Sequence, residues 1–339
     1  MKDLLILALA FMLLISTAAA AGSNNYIEVD IYNEAVDNCI TGNVLLAQVT
    51  DVESYLSGSN NDVYQYAEFY ADGNSLVGIG DDLTSLAQAG EMTANASGSN
   101  NEEWQWIGLA AIDNCLLDGN ISQESSQEAE ILGCGNLIDQ ENAAFAGIEV
   151  SYDAPSFEEA LETGIPSSNS IVMGDLRQRT LLEAYVEGSE NGVVQWNVQE
   201  ANGNCLTDAI LSQYAGKEAL IAGSRNLVEQ GVFFDEQTQE YEVANGEIAY
   251  RNTLTEAMML QDINELAGII GCDNYVNQRA WVDSFDNCLT DAILIQEIYE
   301  AALIEGSENY VFHNVYFDSS DNSIIGGFVT QIAEVESNL

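Results

Sequence analysis

The chain has 339 residues, of which 55 are acidic and 7 are basic, so its formal net charge at neutral pH is −48. Such a charge is typical of disordered chains, but 47% of the residues are hydrophobic, which is typical of chains that fold around a core. We therefore predict a folded protein. The scarcity of lysine and arginine argues against a nucleic-acid partner and an anionic membrane surface, because both need clustered positive charge.

The N-terminus has the features of an export signal. Met1 and Lys2 precede an apolar run from Leu4 to Ile15, and small residues follow at positions 18–22. We therefore predict a signal peptide over residues 1–21 and an extracellular mature protein, with an uncleaved anchor as the alternative. No later segment is predicted to span a membrane, so the mature form is expected to have no membrane partner.

A four-residue pattern recurs along the rest of the chain: glycine, then serine or cysteine, then any residue, then asparagine. Its eight copies divide a repetitive β domain over 22–339 into units that start at Gly22, Gly58, Gly98, Gly133, Gly188, Gly223, Gly271 and Gly306. Fifteen residues after the glycine, six units have a second pattern, such as Asp37 to Cys39, and the fourth and sixth units lack it. Glycine, asparagine and aspartate favour tight turns, so both patterns predict turns.

The segment between the two turns has the period-two pattern of a β-strand. Five residues after the glycine, seven of the eight units have an apolar residue, and Glu103 is the exception. Two residues further on, glutamine is the commonest residue, which predicts a ladder of stacked side chains. The predicted ladder consists of Gln65, Gln105, Gln140, Gln195, Gln230 and Gln278, and His313 takes the equivalent position in the last unit.

A second strand is predicted after the second turn, where four units have a glutamine twenty-five residues from the glycine. Folding each unit back at its second turn pairs Gln105 with Gln123, Gln195 with Gln213, Gln278 with Gln296, and His313 with Gln331. Either a β-hairpin in one sheet or a β-arch between two facing sheets predicts this pairing. Short helices over Arg179–Val186 and Leu289–Ile304 are the alternative, because their apolar residues fit both periods.

The units also alternate in character. The same position of the first, third, fifth and seventh units is a cysteine: Cys39, Cys115, Cys205 and Cys288. Short and long units alternate as well, and the longest contains both prolines, Pro155 and Pro166, which marks a loop or insertion. We therefore predict an all-β fold of eight tandem strand-turn-strand units, grouped as four pairs and stacked as a solenoid-like or cross-β array, with short helices as a minor element.

An exported chain with an even number of cysteines is expected to form disulfides. If odd units are neighbours in space, Cys39 can meet Cys115 and Cys205 can meet Cys288. Cys134 and Cys272 would then pair with each other or join two molecules. We favour at least one bridge between molecules, because such a bridge would lock a polymer against dissociation.

Export also makes two sequons candidates for N-glycosylation. They begin at Asn95 and Asn120, each followed two residues later by serine. Glycan occupancy is left open by the sequence, because such short motifs also occur by chance.

Catalytic machinery is hard to assemble from this sequence. The only histidine, His313, replaces a ladder glutamine, and the cysteines lack the spacing of a zinc site. No pair of carboxylates has a distinguishing spacing. We therefore predict no enzyme and no cofactor, while leaving calcium or other cations open at Asp81 and Asp82, or at Asp283 with Asp286.

The features that are present suit assembly instead. Stacked strands allow glutamine amides to hydrogen bond along a ladder, and few prolines block pairing at a sheet edge. The signal peptide, acidic composition, repeated turns and glutamine-bearing strand pairs together resemble the sheath protein of methanogenic archaea. That resemblance implies a secreted, amyloid-like, self-assembling subunit of a proteinaceous cell sheath, whose partner is a second copy of itself, with no nucleic acid involved. The alternatives are a monomeric acidic β-solenoid adhesin that binds cations or glycans and, more distantly, an exported carbohydrate-active enzyme.

Overall fold

The computed structural model describes residues 8–41, 44–77, 84–147, 169–230, 232–234, 241–243, 245–250, 252–285, 287–319 and 322–338. Every regular element in these ranges is a β-strand. Most strands belong to three parallel sheets that the chain enters in the same order again and again, so the protein is a β-solenoid. One passage through sheets 1, 2 and 3 is called a coil. None of the described residues forms a helix that could cross a membrane.

Sheet 1 contains the longest strands, and these follow one another in chain order. They are β1 (Ala8–Ser23), β4 (Val44–Ser59), β7 (Thr84–Ser99), β10 (Gly119–Cys134), β13 (Asp175–Ser189), β16 (Ile210–Ser224), β22 (Met258–Cys272), β25 (Ile293–Ser307) and β28 (Phe328–Asn338).

Sheet 2 follows sheet 1 in every coil. Its strands are β2 (Tyr26–Val36), β5 (Asp62–Asp72), β8 (Glu102–Ile112), β11 (Leu137–Ala146), β14 (Gly192–Asn202), β17 (Leu227–Gln230), β20 (Asn245–Tyr250), β23 (Tyr275–Phe285) and β26 (Tyr310–Asp318). Strands β17 and β20 share one place between β14 and β23. The small antiparallel pair β18 (Val232–Phe234) and β19 (Tyr241–Val243) lies between them in the chain.

Sheet 3 closes each coil with strands of three residues. They are β3 (Cys39–Thr41), β6 (Ser75–Val77), β9 (Cys115–Leu117), β12 (Ser170–Val172), β15 (Cys205–Thr207), β21 (Thr253–Thr255), β24 (Cys288–Thr290) and β27 (Ser323–Ile325). The sequence pattern does not predict this third strand, because three residues are too few to show a period.

The repeat glycines form the corner between sheets 1 and 2, and successive glycines lie in register. Their backbones are close: a Cβ atom added to Gly223 would lie 1.6 Å from the carbonyl oxygen of Gly188, and one on Gly98 would lie 1.8 Å from that of Gly58. The φ angle of Gly223 is also 149°, a conformation that residues with a side chain rarely adopt. Glycine is therefore required at this corner.

The second corner, between sheets 2 and 3, corrects one sequence prediction. The fourth and sixth units do have a second turn, since Asn169 and Asn252 occupy the place that Asn114 and Asn204 take in neighbouring coils. Additional residues separate them from their repeat glycines, so counting fifteen residues forward misses them. The segment with Pro155 and Pro166 lies outside the described residues.

The parallel pairing settles the choice between hairpin and arch. Strands β8 and β10, which carry Gln105 and Gln123, lie in different sheets, so the units are arches and the hairpin alternative is wrong. The two glutamines therefore hydrogen bond along their own sheets, Gln105 to Gln65 and Gln123 to Gln88, instead of to each other. The segments Arg179–Val186 and Leu289–Ile304 are strands, so the helical alternative is wrong for both.

Alternate side chains of each strand point into the coil and form the core. In sheet 3 the central residue of each strand is apolar, and Leu76, Leu116, Ile171, Leu206 and Leu254 form part of one continuous buried cluster. Each coil therefore buries its apolar residues against the coils above and below it, as expected for a solenoid. Consecutive units are direct neighbours in the stack, and the grouping of units into four pairs stays a prediction.

Candidate assembly surface and its amide ladders

A glutamine ladder runs along the interior face of sheet 1. Its members lie in register: Gln48, Gln88, Gln123, Gln178, Gln213, Gln261, Gln296 and Gln331. From Gln88 onward, each Nε2 donates to the Oε1 of the glutamine in the preceding coil over 2.8–2.9 Å. Many also donate to a backbone carbonyl of sheet 2, as Gln123 does to Phe145. All but Gln331 are buried, so the ladder satisfies polar groups that water cannot reach.

The spacing from the repeat glycine predicts only half of this ladder. Gln123, Gln213, Gln296 and Gln331 were identified by counting forward from the repeat glycine. Counting ten residues backward from the next glycine finds Gln48, Gln88, Gln178 and Gln261 as well. The backward count works because β-strand residues alone separate this position from the glycine, whereas the forward count crosses corners of variable length.

Two asparagine ladders run along the corners of the solenoid. At the first corner, each Nδ2 donates to the Oδ1 of the following coil, from Asn25 through to Asn309. At the second corner the same bonds join Asn38 through to Asn322. In most coils the backbone N–H of the asparagine donates to the same Oδ1, as Asn61 does to Asn101 over 3.2 Å. These bonds fix both the corner geometry and the register.

The glutamine row predicted for sheet 2 is hydrogen-bonded from Gln65 to Gln195. Gln105 donates to Gln65 over 2.7 Å, and Gln140 and Gln195 continue the row at 3.0 Å each. These four side chains are fully buried. Gln230, Gln278 and His313 continue the same register, although their side chains lie outside the described parts of the structure.

The two kinds of ladder have opposite polarity, and this leaves complementary groups at the ends of the stack. Glutamines donate toward the N-terminal coil, so Gln331 is the acceptor for a further coil and Gln48 is the donor to a preceding one. Asparagines donate toward the C-terminal coil, so Asn309 and Asn322 are the donors at that end. Large apolar side chains such as Tyr310, Ile325 and Phe328 are exposed there.

The six cysteines do not pair within the molecule. In sheet 3, Ser75 stands between Cys39 and Cys115, and the register continues this alternation to Cys288. Two strand spacings are about 9.6 Å, which exceeds the Cα separation of a disulfide. Odd units are therefore not neighbours, and the predicted bridge from Cys39 to Cys115 is wrong, as is that from Cys205 to Cys288.

Cys134 and Cys272, at the first corner, are also too far apart to form a disulfide within the chain. The equivalent residues of the two coils between them are Ser189 and Ser224, so the two thiols are three strand spacings apart. That separation is about 14 Å and excludes a bridge within the chain. Five of the six cysteines are exposed and Cys272 is half-buried, so they are accessible to another molecule.

Glu103 is an acid in the apolar interior row of sheet 2, where Val63 and Ile138 are its neighbours. Its side chain is fully buried and accepts a hydrogen bond from the Ser54 hydroxyl. Burial raises the pKa of Glu103 to about 8, because a carboxylate loses its hydration there and the hydrogen bond only partly compensates. Glu103 is thus largely neutral at neutral pH.

Replacing Glu103 with glutamine is expected to remove a pH-dependent loss of stability. Because the folded pKa of Glu103 is raised above its ordinary value of 4.5, the contribution of this side chain to stability is fully present below about pH 4.5 and is lost as the pH rises through about 8. Urea unfolding at pH 4, 7 and 9 should show the Glu103→Gln variant gaining on the wild type as the pH rises. Glu102→Gln, at the exposed neighbouring position, is the control and should show no such trend. A difference that is the same at all three pH values would contradict the prediction.

A second buried charged group lies between sheets 1 and 2. Lys217 and Glu265 are adjacent in register, with Nζ and Oε1 3.8 Å apart, and Glu300 follows Glu265 on the next strand. All three side chains are buried. Burial lowers the pKa of Lys217 to about 8, against the attraction of Glu265, which raises it. Lysine is therefore held as a cation mainly by its acidic neighbours.

The remaining candidates for ligand or sugar sites have weaker support. Asp81, Asp82 and Asp286 lie outside the described residues, and so does the side chain of Asp283. Within the described ranges, no group of three or more acidic, histidine or cysteine side chains is arranged to hold a metal ion.

The two sequon asparagines both lie in strands of sheet 1. Asn120 accepts a hydrogen bond from the backbone N–H of Asp175, and Asn95 is half-buried. Glycosylation at either position stays a prediction.

Comparisons with protein-family models, with curated proteins and with solved structures find no match to this chain.

Proposed function

We propose that the protein is a structural subunit that self-assembles, through stacking of its coils, into an extracellular sheath or envelope layer that protects the cell. The observation that supports the proposal is that both ends of the solenoid have open sheet edges. Sheet edges β2, β3, β26 and β27 have pairing partners on one side only among the described residues. Such edges are templates for pairing with another chain.

The side chains at the ends add specificity to those edges. Asn309 and Asn322 are donors at the C-terminal end, and the Oδ1 atoms of Asn25 and Asn38 are acceptors at the N-terminal end. A second copy in the same orientation would therefore continue both asparagine ladders and the backbone pairing. Stacking of two copies in opposite orientation would place donors against donors, which leaves polar groups unpaired.

Electron microscopy of the purified protein in the absence of denaturant tests this proposal. Ordered rods, hoops or sheets, with the repeat of stacked strands near 4.7–4.8 Å in diffraction, are expected. Persistent monomers at high protein concentration and raised salt, which screens the acidic charge, would contradict it. The proposal assigns the protein no catalytic activity.

Disulfides between molecules are part of the same proposal. Exposed thiols recur at every second strand of sheet 3, from Cys39 to Cys288, so two aligned stacks would bring rows of thiols together. Nonreducing electrophoresis of the assembled material should show bridged species that a reductant dissolves. Free thiols throughout would leave assembly dependent on strand stacking alone.

A monomeric adhesin is the second candidate, and one surface feature favours it. Tyr66 and Trp106 stack on the outer face of sheet 2, with ring centroids 4.5 Å apart and planes 10° apart, and Tyr64 lies near Trp104. Flat aromatic surfaces of this kind offer stacking contacts to other planar or apolar ring faces. Binding of soluble glycans by a persistent monomer, abolished by Trp106→Ala, would favour the adhesin over the envelope subunit.

A further inference from the structure

The first and last strands of sheet 1 correspond to the same place in the coil. The chain enters the first coil through β1, passes to β2 and β3, and returns to sheet 1 as β4. At the other end, β26 and β27 are followed by β28, which returns to sheet 1. Sheet 1 therefore has nine strands where sheet 3 has eight. The additional strand is either β1 or β28.

The register of sheet 1 shows which residues of β1 and β28 are equivalent. Asn338 pairs with Leu303, and the same row continues through Leu220, Tyr185 and Tyr55 to Ala19. In the glutamine row, Gln331 corresponds to Met12 in the same way. Strand β28 thus matches the part of β1 from Leu9 to Ala19.

Head-to-tail stacking of two molecules would require these two strands to occupy the same position. When β26 of one molecule pairs with β2 of the next, and β27 with β3, the coil of the first molecule continues into sheet 1 beside β4 of the second. Strand β28 of the first molecule would lie there. Strand β1 of the second molecule already occupies that position, where it pairs with β4 over sixteen residues. Only one of them can be accommodated.

We propose that β1 is a removable cap on the N-terminal end of the solenoid, and that β28 of a second copy replaces it once residues 1–21 have been cleaved. This inference rests on the function proposed above, and it specifies the acceptor site, the incoming strand and the event that opens the site. It follows that the unprocessed chain folds without forming the head-to-tail contact, so assembly is confined to processed molecules.

The glutamine ladder supports the exchange. In register, β1 places Met12 where the other strands of sheet 1 have glutamine, and Gln48 donates to the carbonyl and side-chain oxygens of Asn33 and to the carbonyl oxygen of Tyr70. Gln331 of an incoming molecule would offer its Oε1 to Gln48, so the ladder would cross the junction. Replacing β1 with β28 therefore puts an amide in register with Gln48, where β1 has a methionine, whose thioether is only a weak acceptor.

The cysteine row of sheet 3 offers a reporter of the junction. In a head-to-tail contact, β27 of one molecule lies beside β3 of the next, which places position 323 one strand spacing from Cys39. That spacing, about 4.8 Å, lies within the Cα separation of a disulfide. Ser323 and Cys39 are both exposed, so neither substitution nor oxidation requires repacking.

The test uses a chain with Ser323→Cys in which Cys39 is the only native cysteine retained. The other five become serine, the residue that already occupies most equivalent positions in other coils. A protease recognition sequence inserted after Ala21 allows the full chain to fold before cleavage. Mild oxidation before and after cleavage is followed by nonreducing peptide mapping for the bond between positions 39 and 323. Sedimentation of the chain with native cysteines provides a second measurement that does not depend on the substitutions.

We expect the intermolecular bond, and sedimentation of large species, to increase at least tenfold after cleavage. The added substitution Cys39→Ser should abolish the bond and leave sedimentation unchanged. Equal bond formation before and after cleavage would overturn the cap while leaving assembly intact. Large species without the bond would show another contact surface and overturn the exchange of β28 for β1. Monomers alone after cleavage would overturn both the cap and the proposed assembly.

Discussion

Replacing Gln123, Gln178 and Gln213 together with glutamate is expected to prevent folding at neutral pH. The three side chains are fully buried neighbours on β10, β13 and β16, and each now donates and accepts along the row. A buried carboxylate without a cation costs several kcal/mol, and three in one row exceed the typical stability of about 5–15 kcal/mol. Circular dichroism and urea unfolding at pH 7 should show an unfolded chain or a loss of most of the free energy of unfolding.

The control adds the same number of charges to the outer face of sheet 1. Ser122, Ser126 and Ser212 are half-buried and alternate with the interior residues of β10 and β16, so they lie on the outer face. Their replacement with glutamate should leave the protein folded. Lowering the pH to about 4 should restore the ladder variant more than the control, because a carboxyl whose folded pKa is raised loses its penalty when protonated. Equal stability of the two triple variants at pH 7 would show that the ladder is not buried.

Replacing Lys217 with leucine is expected to destabilise the protein by about 3–5 kcal/mol, the usual cost of removing one partner from a buried ion pair. The substitution leaves the side chains of Glu265 and Glu300 in the interior without their cation. The site itself tolerates an apolar residue, since Leu182 occupies the same interior row one coil earlier. Urea unfolding of the wild type and the variant at pH 7 measures the difference.

Two further variants show whether charge is the cause. Combining Lys217→Leu with Glu265→Gln and Glu300→Gln should recover most of the lost free energy, because no unpaired charge remains. Arg225→Leu removes a cation from an exposed pair with Glu190 and should change the free energy of unfolding by less than about 1 kcal/mol. A Lys217→Leu variant as stable as the wild type would contradict a role for the buried pair.

The turns and the period-two strands could be predicted from the sequence because glycine, asparagine and alternating apolar residues act locally. The repeat glycine marks a corner where a Cβ atom has no room, and Gln105 and Gln195 follow it at a fixed distance along a strand. Asn169 and Asn252 could not be predicted from this spacing, because inserted residues separate them from the repeat glycine. The ladder to which they belong is apparent only from the stacking of the coils.

The buried ion pair shows a different limit of sequence reasoning. Lys217 and Glu265 are 48 residues apart, and neither lies in a recognisable motif. Their contact depends on the register between β16 and β22, which in turn depends on the corners holding both strands in line. The cysteine pairing failed for the same reason, because alternation along the sequence indicated neighbours where the stack places a serine-bearing strand between them.

The constancy of the glycine corner, in contrast to the variable length of the rest of each coil, also bears on how such a chain can evolve. Successive repeat glycines are separated by 35 to 55 residues, yet all eight glycines remain in register at one corner. In the sequence, the added residues stand between Val77 and Thr84, between Gly147 and Asn169, and between Gln230 and Asn252. Gene duplication can therefore lengthen the stack, and new segments can be inserted at the variable positions. Neither change disturbs the glycine corner that keeps successive coils in register.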